Sequence, residues 1–169
     1  MFSDIEKPMK SAISKHILQS AALGLLAGLR TTAAPVALTH ILSNRKSKTL
    51  DGSRLNFLQS ATLATVLKVL SISEVVVDKL PSTPNRIEPA GIIGRGLSGA
   101  LAGAAICKAT GSKALTGAII GGTTAIMSTY AGYFLRKNIV KSTHIADPVI
   151  GGFEDVITIA AGATLCIND

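Results

Sequence analysis

The chain has 169 residues, of which 47% are hydrophobic and only 16% charged, against about 25% charged in an average soluble domain. Its net charge is +7, yet the basic residues are spread over several short loops, with no interleaved aromatic residues and no continuous basic helix face, which argues against a nucleic-acid partner. The charges cluster between long apolar runs, so the composition points to a lipid bilayer as the main partner.

Residues 1–17 carry Asp4, Glu6, Lys7, Lys10 and Lys15 and read as an N-terminal interfacial segment. No small-residue cleavage site closely follows the first apolar run, so that run is expected to be an uncleaved signal anchor. Residues 18–169 are expected to form a single transmembrane helical domain. Its first span, Leu18 to Leu42, is interrupted only by Arg30 and His40 and is long enough to cross roughly 30 Å of hydrocarbon. Arg30 then falls about 18 Å along that helix, near the bilayer midplane. A charge there is expensive, so Arg30 is expected to face the bundle interior, on a face with Ala27, Ala34 and Ala37. Pro35 lacks an amide N–H and leaves the Thr31 carbonyl without its helical donor, so a kink is expected beside Arg30.

A second span runs from about Leu55 to Val77, with Lys68 and Glu74 inside it, and stops at Asp78. Pro81, Pro84 and Pro89 stiffen the loop that follows. The third segment, Ala90 to about Ala105, carries Arg95 and reads as short or half-crossing. The fourth, Ala114 to Leu135, is free of charge and ends at Arg136-Lys137. The fifth starts at Pro148, a residue suited to the first turn of a helix, and ends near Ile167. The fold class is therefore an all-α membrane protein, a bundle of about five transmembrane helices. Small residues at helical spacing, Gly24 and Gly28, Gly99 and Gly103, Gly117 and Gly121, Ser128 and Gly132, suit close helix packing in lipid.

Five alternating crossings put nine Lys and Arg residues on the N-terminal side and six on the other, which mildly favours a cytoplasmic N-terminus. The same alternation gathers Glu74, Asp78, Arg95, Glu154 and Asp155 within one leaflet, below Arg30. Glu74 and Asp78 share a helix face, as do Glu154 and Thr158. Two outcomes are open for these six residues. The charges pair with one another, Arg30 with Glu154 and Arg95 with Glu74 or Asp155, and lock the bundle. Or they line a polar cavity or an ion pathway, the usual meaning of ionisable residues inside a membrane. Lys68 also falls near mid-depth and has no evident role.

Other motifs lack the context their chemistry needs. Gly94 to Gly99 matches G-x-G-x-x-G, but no strand precedes it and no Walker lysine follows. His16, His40 and His144 lack metal-ligand spacing and read as solvated. Cys107 and Cys166 lie in apolar segments and read as small buried hydrophobes. No metal, cofactor or catalytic residue is expected.

Several stretches together carry a family likeness: Gly28 to Pro35, Glu74 to Pro81, Ile93 to Ala104, Tyr130 to Arg136 and Glu154-Asp155. From Gly24 to Gly162 the chain resembles the bacterial domain of unknown function 4126 family of small integral membrane proteins. The resemblance implies a membrane location and a set of motif residues, Arg30, Glu74, Asp78, Arg95, Glu154 and Asp155, but no reaction; the membrane expected is the bacterial inner membrane. The reading is a small transporter or channel-like protein, forming a homo-oligomer and accepting an ion, a solute or a lipid headgroup. The alternative is a structural or assembly membrane protein with self-paired charges; an intramembrane lipid-acting enzyme is a distant third.

Overall fold

A computed structural model describes residues 3–77, 88–143 and 147–167, with side chains for 15–73, 88–140 and 156–166. Among the described residues there are six α-helices and no strand: α1 (Ser3–Leu29), α2 (Ala33–Asn44), α3 (Ala61–Val77), α4 (Pro89–Ala109), α5 (Ala114–Thr143) and α6 (Asp147–Ile167). Two short 3-10 turns, Lys48–Leu50 and Asn56–Gln59, lie between α2 and α3. Gly94 to Gly99 sits inside α4, not in a strand-to-helix turn.

The expected first span is not one helix. It breaks at Arg30, Thr31 and Thr32, and the chain reverses there. The reversal follows from which parts of α4 each piece touches. Ser20 in α1 lies against Gly103 and Cys107, with Ser20 Oγ 3.2 Å from Cys107 Sγ. The turn residue Thr31 lies against Ser98, whose hydroxyl donates to the Thr31 carbonyl at 2.6 Å. Beyond α2, Thr49 donates to the carbonyls of Lys108 and Ala109, both at 2.9 Å. Thus α1 descends α4 toward its N-terminal half, and α2 climbs back to its C-terminal end. The two form an αα-hairpin with a three-residue turn.

Local chemistry explains the turn. Pro35 cannot supply the N–H that Thr31 O would accept in a continuous helix, and its ring crowds that carbonyl. At the third residue of α2 the missing N–H costs nothing, because first-turn amides have no intrahelical acceptor. Hydroxyls of the neighbouring helices then bond to the backbone around the break. Ser98 serves Thr31 O, Ser128 donates to Leu25 O at 3.0 Å, and Thr129 donates to Gly28 O at 3.2 Å. Ala27, Ala34 and Ala37 are all buried, in the core that the hairpin shares with Leu23, Leu26 and Leu38.

The core of the bundle is α1, α4 and α5. Gly99 and Gly103 of α4 face Gly121 and Gly117 of α5, which makes that pair antiparallel; Gly24 and Gly28 of α1 face Gly121 and Ala125 in parallel. A Cβ at Gly103 would collide with the Gly117 carbonyl, and one at Gly117 with the Gly103 carbonyl. Only glycine allows this approach. α4 ends in a Schellman motif, with Gly111 at φ 77°, Gly111 N–H bonded to Lys108 O and Ser112 N–H to Cys107 O.

The third segment is not short. Glu88 and Pro89 begin α4 earlier than expected, and Lys108 continues it, so it has 21 residues and spans about 31 Å. Among the described residues it is the one helix long and apolar enough to cross a bilayer. Shorter apolar stretches are Ala61–Ser73 and Val156–Cys166. The element of half length is instead α2, whose 12 residues cover about 18 Å. Large apolar side chains point outward from the long helices, among them Leu18, Ile72, Leu97, Leu115, Met127 and Ile159.

Candidate functional site

The hairpin turn lies at mid-height of the bundle. Ser98, its partner, is ten residues into the 21 of α4, and Thr129 stands near the middle of the 30 of α5. Arg30 occupies this turn and is only 5% exposed. One face of α2, Ala33, Val36, Ala37 and His40, runs away from it at the spacing that places residues in a row. Together with Lys68 and Ser71 of α3, and Thr158, Ile159, Gly162, Ala163 and Cys166 of α6, these residues line a half-open cavity of about 180 Å³.

The cavity has a polar group at each end and an apolar waist. Arg30 marks the turn end. Seven residues along α2, about 10 Å away, His40 Nδ1 receives Lys68 Nζ at 3.2 Å. The Asn44 amide faces the other ring nitrogen, Nε2, at 3.3 Å. An ammonium has only protons to offer, so Lys68 is the donor in its bond and two of its three N–H bonds remain for other acceptors. Thr158 is buried in the wall, and Gly162 lies 3.9 Å, measured from an added Cβ, from Leu26 of the hairpin.

Arg95 is also buried, one turn of α4 before Ser98, and so at the level of the hairpin turn, but it does not line this cavity. Arg30 Nη1 and Arg95 Nε are buried atoms that donate no hydrogen bond, while both residues interact through other atoms. Glu74 lies on α3, and Glu154 and Asp155 on α6; their side chains fall outside the described residues, as does the whole of Asp78. By backbone position Glu74 follows Ser71 by one turn and Glu154 precedes Thr158 by one turn, so both stand on helices that wall the cavity.

A family model, the domain of unknown function DUF4126, matches residues 17–167. The chain belongs to the DUF4126 family. No curated protein and no solved structure matches it. Membership places the broken helix, the glycine-packed core and the cavity inside the matched region, since all three fall within residues 17–167 of this DUF4126 protein. Two cavity residues escape a sequence reading. His40 reads as solvated because it stands near the end of an apolar run, and Lys68 as an isolated charge; each becomes a lining residue only once α2 folds back beside α3. The signal available for His40 is its i, i+3, i+4, i+7 register with Ala33, Val36 and Ala37.

Proposed function

We propose that this protein is a small integral membrane transporter or channel-like protein, with a half-length helical hairpin forming its polar site. The observation that carries the reading is the placement of buried Arg30 at a helix break, midway along α4, beside a cavity. Discontinuous helices meeting at mid-depth are how membrane transporters build substrate sites, because the freed backbone groups must be satisfied by protein or substrate. The length and apolarity of α4 and the outward-facing Leu, Ile and Met side chains support a bilayer around the bundle. Arg30, Arg95, Glu74, Asp78, Glu154 and Asp155 are the candidate polar residues, and Pro35 fixes where the helix breaks. On this reading the protein forms a homo-oligomer in the inner membrane, with a cytoplasmic N-terminus.

The test is flux in liposomes. Protons, chloride and lactate are each driven across membranes reconstituted with wild type or Arg30→Ala. Flux of at least one above empty liposomes, reduced by the substitution, is the expected outcome; flux indistinguishable between the two proteins removes the transporter reading. The interlocked α1, α4 and α5 core favours the second reading, a structural membrane protein, which predicts no flux at all.

A further inference from the structure

We infer that the cavity between α2, α3 and α6 binds a short organic monocarboxylate, with its carboxylate on Lys68 beside His40 and its hydrocarbon portion along the α2 and α6 walls. This rests on the reading above and names the ligand class of that site.

Three observations fix the class. The first is charge. His40 contacts Lys68 through Nδ1 and Asn44 through Nε2, and no carboxylate reaches His40 or Lys68 among the described residues. Lys68 is exposed at the mouth with two N–H donors left after its bond to His40, a local excess of positive charge that selects an anionic oxygen ligand. The second is the wall. Between the mouth and Arg30 the lining is mostly apolar, Val36, Ala37, Ile159 and Ala163 with the hydroxyls of Ser71 and Thr158 at intervals, which offers little to a hydrated inorganic anion and favours CH₂ groups or a ring. The third is size. About 180 Å³ is the room of roughly six waters, slightly more than the cavity of about 150 Å³ that holds one benzene. A carboxylate carrying a short chain or one ring fits within it; a long acyl chain would have to extend out through the open mouth.

Benzoate and butyrate are the probes, titrated into the full-length purified protein in nanodiscs, with n-butylammonium as the cationic control and laurate as the lipid-like one. The structure predicts saturable binding of benzoate and butyrate, weakened about tenfold by Lys68→Met and retained by Lys68→Arg, since a charge-assisted hydrogen bond is lost in the first and kept in the second. Lys68 is exposed, so neither change disturbs folding, which circular dichroism checks. Binding of n-butylammonium without benzoate would overturn the inference, as would binding of laurate without the short acids, or no saturable binding by a folded protein. Benzoate binding without flux sinks the transporter reading alone. Flux that depends on Arg30, with no carboxylate binding, sinks this inference alone.

Discussion

At the scale of single residues, the break in the first apolar run is a problem of two carbonyls. Thr31 O loses its donor to Pro35 and Gly28 O stands in the last turn of α1; the first accepts the Ser98 hydroxyl of α4 and the second the Thr129 hydroxyl of α5, beside which Ser128 adds a bond to Leu25 O. Burying an unpaired backbone acceptor costs about 1–3 kcal/mol. Ser98→Ala is therefore expected to destabilise the protein by about 1 kcal/mol, read as a lowered midpoint of thermal unfolding in detergent, whereas Ser73→Ala, on the exposed side of α3, is expected to leave it unchanged. Equal midpoints for the two variants would deny that Ser98 supports the turn. The sequence shows Pro35 and the carbonyl it orphans, because that rule is local. It does not show the donor, which lies 67 positions away on α4.

Among elements, the decisive contacts are backbone against backbone. Gly103 and Gly117 each sit where an added Cβ would strike the other's carbonyl, and Gly24 and Gly28 do the same for α1 against α5. Gly117→Val is thus expected to part α4 from α5. Overpacking of this kind costs about 1–3 kcal/mol, and the branched side chain leaves no rotamer that avoids the Gly103 carbonyl. The expected result is loss of the monodisperse species in size-exclusion chromatography, while Gly52→Val, at an open loop position, keeps it. Helix-spaced glycines are legible in sequence because the pattern is periodic. Helix ends are less so. Residues 90–105 read as half-crossing because Arg95 weakens their hydropathy, yet Pro89 and the Schellman stop at Gly111 define a helix of 21 residues. A charge inside a helix says nothing about where that helix ends.

For the whole molecule, folding α2 back changes which loops share a side. With α1 and α2 as a hairpin, the 45–60 connection returns to the end of the bundle where α4 finishes, held there by Thr49 on Lys108 and Ala109 and by Gln59 Oε1 accepting from Ser47 N–H at 2.5 Å. Lys15, Arg45, Lys46, Lys48, Arg54, Lys108 and Lys113 then gather at one end, and Arg95, Arg136 and Lys137 lie in the other half. Among these residues the larger basic cluster therefore lies at the end of the bundle that carries Lys15, and it is made of different residues from those that five alternating crossings would gather there. The all-helical class was readable from apolar runs of helical length. The path of the chain was not, because a 25-residue apolar run satisfies the length rule whether it crosses once or turns back at its centre. The cavity depends on that turn: Arg30, His40 and Lys68 line a common space only if α2 lies beside α3.

Sided labelling of single cysteines tests the hairpin most directly. In a background carrying Cys107→Ser and Cys166→Ala, Lys15→Cys, Arg54→Cys and Lys137→Cys are each exposed in sealed vesicles to a membrane-impermeant maleimide. The hairpin predicts that positions 15 and 54 react from the same side and position 137 from the opposite one. Reaction of positions 15 and 54 from opposite sides would show that residues 18–42 cross the membrane as a single helix, and would contradict the account.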